Sequence, residues 1–295
     1  MRVRRLGMDD YAQLEQFLRQ HRETSLFILG NMNRVGLAQS DQAYHGDYWG
    51  LFQQEELSGV LVHYWNGNVM MQAPNPEHLT YLIHTFQKTV KRPIAGILGV
   101  VEQADQVITA LGLHPAQFRL QRAEQLYALN LNQLISPVLD AAFELKVVHP
   151  RAEYRELLQT WLRAYELEAL HAQAGAALER RVAATVEVWL RSTEIYLLEV
   201  NQQPVALSGF SVSLPDIVQV GPVWTPPSQR NRAYARYLVA QSLAAAKERG
   251  VQTAILFTDT PPAIKAYTAI GFRSIGQYRL ALLHEPQLLA SNHIH

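Results

Sequence analysis

Residues 217–237 decide how this chain is read: Ile217-Val-Gln-Val-Gly-Pro-Val-Trp224-Thr-Pro-Pro-Ser-Gln-Arg230-Asn-Arg-Ala-Tyr-Ala-Arg-Tyr237. An apolar run ending at Trp224 reads as a strand, and Pro226-Pro227 stiffen the turn that follows. A helix then opens near Arg232 and continues through the alanine-rich run Ala235–Lys247 to Gly250, a usual helix terminator. The first turn of a helix carries free backbone N–H groups and the positive end of the dipole. A strand that delivers the chain into a helix start rich in small and basic residues is therefore suited to hold a phosphate.

Outward from this stretch the pattern is strands, helix, strand, helix, strand, and it occurs twice. The first half shows a strand at 2–6 and helical spacing from about Asp9 through Leu14, Phe17, Leu18, Leu26 and Leu29. Strands follow at 47–52, 57–64 and 69–72, with a hairpin signal at Asn66-Gly67. A helix at 77–90, a strand at 94–100, a helix at 102–111 and a strand at 123–131 complete that half. After a connector over 130–142, the second half has a strand at 143–148 and helices at 154–170 and 177–189. Strands at 195–200, 206–212 and 217–224, a helix at 232–249, a strand at 253–258, a short helix at 262–270 and a strand at 273–283 follow. Turns between the early strands and one strand–helix–strand crossover per half predict mixed, largely antiparallel sheets of an α+β kind. The expected domains are 1–135 and 143–285.

The 295 residues suffice for two cores, and with 48% hydrophobic and 18% charged residues the chain is globular in composition. Lys plus Arg equals Asp plus Glu at 26 each, so no global field draws the protein to nucleic acid. The absence of cysteine removes thiol nucleophiles, disulfides and thiolate metal sites, and agrees with a cytoplasmic setting. No stretch approaches the ~20 apolar residues of a membrane span. His149, His171 and the terminal Asn-His-Ile-His are too scattered to bind a metal. Ser208-Gly209 lacks a nucleophile elbow, and Gly96-Ile-Leu-Gly99 is too short for a dinucleotide fingerprint.

Over residues 143–283 the chain resembles the GNAT superfamily of acyl-CoA N-acyltransferases. That family's cofactor loop, Arg/Gln-x-x-Gly-x-Gly/Ala, stands here as Arg230-Asn231-Arg232-Ala233-Tyr234-Ala235. Its second motif, a small-residue helix with a tyrosine ending in Gly-Phe, stands as Pro261-Pro-Ala-Ile-Lys-Ala-Tyr267-Thr-Ala-Ile-Gly271-Phe272. Two positions depart from the pattern: Ala233 replaces the first glycine, and Thr260 stands where an asparagine is common. The first half resembles the same fold without the loop, since Gln72-Ala-Pro-Asn-Pro-Glu77 has neither glycine nor base. It is expected to be a degenerate copy.

The resemblance implies acetyl-CoA as co-substrate. The amides of 231–235, with the side chains of Arg230 and Arg232, would hold its pyrophosphate, and Val223 and Trp224 would pair with the pantetheine arm. The Val223 N–H would polarise the acyl carbonyl, and Tyr267 would protonate the leaving thiolate. The acceptor would be a primary amine of a small molecule, amino acid or peptide, shaped by the segments around 160–192. Glu166 is the weaker candidate base, with Glu168 beside it. A homodimer is compatible with this reading. The rivals are a non-enzymatic acyl-CoA-binding module, favoured by Ala233, and a transferase using aminoacyl-tRNA, which the neutral charge balance opposes.

Overall fold

The computed structural model describes residues 1–37, 40–139 and 143–289. The end of the 130–142 connector and the histidines of the last four residues lie outside the described residues. Contacts divide the chain into two compact units. One is Met1–Gln125 with the C-terminal stretch from Gly276, and the other is Leu126–Ile275. Both divisions fall inside strands, so the units differ from the ranges 1–135 and 143–285 at their last strand.

The first unit contains β1 (Arg2–Arg5), α1 (Tyr11–Arg19), α2 (Arg22–Val35), β2 (Gly46–Gln53), β3 (Glu56–Tyr64), β4 (Asn68–Gln72), α3 (Pro76–Thr89), β5 (Ile94–Val100) and α4 (Val101–Ala110), then the start of β6 (Phe118–Asn130). Strands β1 to β5 lie side by side in chain order. All these pairs are antiparallel except β4–β5, which α3 connects as a parallel crossover. Helix α3 shows why a helix forms and where it ends. Asn75 accepts a hydrogen bond from the Glu77 N–H at 2.9 Å and Pro76 supplies the pre-set φ of a first helical residue. His78, Leu79, Leu82, Ile83 and Phe86 form its buried stripe, and Trp49 packs edge-on to Phe86 at 5.2 Å.

The second unit repeats this order. It contains the end of β6, then β7 (Leu145–Val148), α5 (Arg155–Ala169), α6 (Ala176–Trp189), β8 (Ile195–Val200), β9 (Gln203–Ser213), β10 (Ile217–Trp224), α7 (Tyr234–Glu248), β11 (Thr253–Thr258), α8 (Pro261–Thr268) and the start of β12 (Arg273–Gln287). Strands β7 to β11 again lie in chain order, antiparallel except for the parallel pair β10–β11. Two cores sandwich the sheet. On one face Tyr196, Leu198, Phe210, Val218 and Val220 pack against Leu238, Val239 and Leu243 of α7 and Tyr267 of α8. On the other, Ile195, Leu197, Leu207 and Trp224 pack against Leu158, Trp161 and Leu162 of α5 and Val182 and Val186 of α6. Each fully buried leucine contributes about 1.5–3 kcal/mol through area removed from water. Helix α7 stops because Gly250 adopts φ +98°, which lets its N–H reach Lys247 O at 2.9 Å and the Val251 N–H reach Ala246 O at 3.2 Å.

The sixth place in each sheet is filled from the other half of the sequence. Residues Tyr278–Gln287 of β12 pair antiparallel with β5 in the first unit, and the end of β6 is the neighbour of β11 in the second. The strand expected to end at Leu283 thus extends to Gln287, which pairs with Ile94. Arg279 on β12 makes a two-pronged bond to Asp105 of α4 at 2.8 and 2.7 Å. Expected mixed, largely antiparallel sheets flanked by helices are what both units show.

Candidate active site

The site in the second unit begins where two parallel strands separate. β10 and β11 pair at Ile217↔Thr253, Val218↔Ala254 and Gln219↔Ile255, and β10 then continues to Trp224 and β11 to Thr258 outside that ladder. On its other side β10 carries a bulge, for Val220 pairs with Phe210 and Val223 with Ser208, three steps against two. Gly221 stands in that bulge with φ +151°, a conformation that favours glycine.

After Trp224 the chain makes a 3-10 turn over Pro227–Gln229, in which the Gln229 and Arg230 N–H groups bond back to Pro226 O and Pro227 O. Asn231 and Ala233 then adopt left-handed conformations, φ +65° and +62°. Ala233 is the N-cap of α7 and offers no side-chain cap. As a result the backbone N–H groups of Asn231, Arg232, Ala233, Tyr234, Ala235 and Arg236 have no hydrogen-bond partner among the described residues. Consecutive free amides at a helix start form an anion-binding nest, reinforced by the dipole. The methyl of Ala233 does not prevent the turn, but a non-glycine residue there costs roughly 1–2 kcal/mol.

The side chains expected at this loop are not alike. Arg232 is exposed, with no ion-pair partner among the described residues. Arg230 is occupied: its Nε donates to Thr225 O at 3.0 Å, its Nη2 donates to Glu168 Oε2 at 2.9 Å, and its guanidinium lies over the Trp224 ring at 5.0 Å. Tyr234 points into the α7 core, and Ala235 contributes only its backbone. Arg236 was not singled out from the sequence, yet its Nε is buried without a partner. A third cation within seven residues, at a helix start where the dipole disfavours it, was the available signal.

Tyr267 on α8 is buried, 6.0 Å from the Phe272 ring. Burial holds its phenol well above the usual pKa, and the nearby Tyr165 phenol adds to this. The Gly-Phe ending has a structural cause. Gly271 has φ +108°, and a Cβ there would stand 2.8 Å from Gln133 O, while Phe272 N–H bonds to Tyr267 O at 3.2 Å. Thr260 is the N-cap of α8, and its N–H donates to Thr258 Oγ1 at 3.3 Å. Glu166, half-buried on α5, accepts from Arg181 at 2.8 Å, so both carboxylates near the end of that helix are engaged by arginines. Among the described residues no group of three His, Asp or Glu side chains could hold a metal ion, and no helix is long and apolar enough to cross a membrane.

The corresponding junction of the first unit, Ala73-Pro74-Asn75 between β4 and α3, offers fewer free donors. Gln103 Oε1 accepts the Ala73 N–H at 2.8 Å, Asn75 takes the Glu77 N–H, and Pro74 and Pro76 have none to give.

Residues 152–272 match a family model described as the acetyltransferase (GNAT) family. No curated protein matches the chain. Among solved structures, the chain resembles a GCN5-related N-acetyltransferase from Sphaerobacter thermophilus at 13% identity and TM-score 0.61, over 98% of each chain. It resembles a tandem GNAT protein from the clavulanic acid biosynthesis pathway at 15% identity and TM-score 0.57, over 97% of this chain and 99% of that one. An acetyltransferase of the GNAT family from Colwellia psychrerythraea aligns at 13% identity and TM-score 0.57, over 96% of this chain and all of the other. At such identities the likeness is one of fold. The family match over residues 152–272 covers the stretch that holds both motifs, the separated strands and the free amides.

Proposed function

We propose that the second unit transfers an acetyl group from acetyl-CoA to a primary amine of a small molecule, amino acid or peptide, and that the first unit is a copy without a cofactor loop. The single observation that carries this reading is the row of six unpartnered amides at 231–236, beside strands that separate just before it. The amides of 234–236 are the unpaired donors of any helix start, and those of 231–233 lengthen the row into a nest suited to an anion. A pyrophosphate fits the donor set: amides from two left-handed residues and a helix start, with Arg232 free to add a charge-assisted bond.

When bound, acetyl-CoA supplies an acyl thioester whose C–S bond breaks as the C–N bond forms. In this reading the N–H of Val223, in the bulged part of β10, donates to the acyl oxygen as charge builds there. The amine nitrogen gives up two protons over the reaction: one leaves to solvent and one accounts for the thiol. Tyr267 donates its O–H toward sulfur. Its raised pKa keeps the proton on oxygen at neutral pH, so it serves first as a hydrogen-bond donor and completes transfer only as negative charge accumulates on sulfur. Glu166 is the weaker candidate for removing the ammonium proton, in competition with its bond to Arg181. A cytoplasmic location and action without nucleic acid complete the proposal.

Isothermal titration with acetyl-CoA tests the reading: binding in the micromolar range is expected, and its absence defeats the proposal. Thiol release across a panel of amines then distinguishes the enzyme from a non-catalytic acyl-CoA-binding module, which Ala233 in a left-handed conformation keeps as the second reading.

A further inference from the structure

Buried polar side-chain atoms almost always have partners, so the exceptions call for an explanation. In the second unit three of them fall within seven residues around the β10 bulge: Gln219 Oε1, Trp224 Nε1 and Thr225 Oγ1. Gln219 and Trp224 are each only 6% exposed. Their direction follows from the strand. Val218 and Val220 both belong to the α7 core, so Gln219 between them points to the opposite face, at the last rung before β10 and β11 separate. Trp224 packs on that same face, among Trp161, Val182 and Leu207. Tyr165 of α5 stands edge-on to it at 6.4 Å. Helix α7, whose start carries the amide nest, packs on the other face, so these orphans lie on the face covered by α5 and α6, the segments expected to shape the acceptor site.

The first unit shows that the fold does not require such orphans at a strand end. There Gln72 Oε1, the end of β4, accepts from Thr24 Oγ1 at 2.9 Å and Ser25 Oγ at 3.1 Å. Its own unpartnered atoms, Trp49 Nε1 and His63 Nδ1, belong to β2 and β3, away from that strand end. The carboxylates on the acceptor face of the second unit are already engaged: Glu166 by Arg181, Glu168 by Arg230, and the buried Glu199 by the Tyr154 hydroxyl. No free carboxylate in that group would hold a second ammonium, which disfavours polyamines.

We infer that Gln219 and Trp224 form the specificity-determining pair of the acceptor pocket, a side-chain carbonyl and an indole N–H that receive a primary amine bearing its own hydroxyl or carbonyl oxygen. Gln219 accepts from the amine or hydroxyl of the acceptor, and the Trp224 N–H donates to its oxygen. This rests on the transferase reading above. An amine without the oxygen leaves the buried indole N–H unpaired, and a buried unpaired group is what separates good from poor substrates.

The test compares ethanolamine with propylamine, which differ by a hydroxyl in place of a methyl, using thiol release from acetyl-CoA by the full chain. Ethanolamine should exceed propylamine in kcat/KM by about tenfold or more, the worth of one hydrogen bond. Gln219→Leu and Trp224→Phe should each bring the ratio toward one. Gln219→Leu, close in shape, should melt near wild type, whereas Trp224→Phe gives up buried volume and should melt somewhat lower, so the amine ratio and not stability is the readout. A ratio unchanged in both variants, a wild-type preference for propylamine, or acetyl-CoA binding with neither amine turned over overturns the inference. Failure to bind acetyl-CoA at all instead defeats the transferase reading, and the titration reports that separately.

Discussion

The two strand-to-helix junctions, β4–α3 and β10–α7, are the same architectural position with opposite hydrogen-bond economies. At β4–α3 two prolines, a capping asparagine and Gln103 remove or satisfy local donors, and Glu77 adds a negative charge to the first turn. At β10–α7 Asn231 and Ala233 are left-handed, no side chain caps the helix, and Arg232 has no ion-pair partner among the described residues. If the amide row holds an anion as proposed, the fold supplies only the place for it. The loop's backbone conformation supplies the donors, so one duplicated architecture can carry one site.

The comparison breaks most sharply at Tyr267, which has no counterpart role in the first unit's α4. Tyr267→Phe should lower kcat by about a hundredfold or more, the scale of general-acid catalysis, while acetyl-CoA still binds in titration. Full activity in that variant removes the residue from the chemistry.

A second effect belongs to the first unit. His63 is fully buried on β3, and burial together with the Arg92 cation pushes its pKa down to about 4. Between the ordinary histidine value near 6.5 and about 4, the unfolded chain binds a proton that the folded chain refuses. Stability should therefore be level above that upper value and fall by about 3 kcal/mol as the pH drops through the window. Denaturant melts at neutral pH and at pH 4.5 would show it, and His63→Leu should flatten the slope. An equal slope in that variant assigns the acid sensitivity elsewhere.

Arg232→Glu should weaken acetyl-CoA binding by about thirtyfold, the value of a charge-assisted bond replaced by a repulsion, whereas Glu77→Arg should not create binding in the first unit. Equal affinity in the Arg232 variant would exclude its side chain from the site. The smallest effect is at Ala233. Because its φ is +62°, Ala233→Gly should stabilise the second unit by about 1 kcal/mol and tighten acetyl-CoA severalfold. A lower melting temperature in Ala233→Gly would show that the left-handed turn is not strained.

Much of the plan was legible beforehand. Apolar alternation in 195–224, the Asn66-Gly67 turn, the Gly250 stop and the Gly271-Phe272 ending are local signals with local causes, and the elements follow them closely. The first helical stretch was less legible, for a break at Gln20 and His21 divides it into α1 and α2 without proline or glycine to mark it. In the site, the family resemblance indicated Arg230, Arg232 and Tyr267 as a set. It could not show that Arg230 is held by Glu168, 62 positions earlier, or that Arg236 keeps a buried nitrogen unpaired.

What the sequence alone determined is therefore the twofold order of strands and helices, and the contrast between a loop rich in basic and small residues in one half and a proline-rich, acidic junction in the other. These rest on periodicity, turn chemistry and charge, which act over a few residues. Only the tertiary structure decided that the last strand of each half completes the other unit's sheet, that Arg230 is engaged while six amides find no partner among the described residues, and that Gln219 and Trp224 each keep a buried polar atom unpaired among those residues on one face. Those outcomes depend on hydrogen bonds between residues far apart in the chain, and a donor's partner cannot be read from its neighbours in sequence.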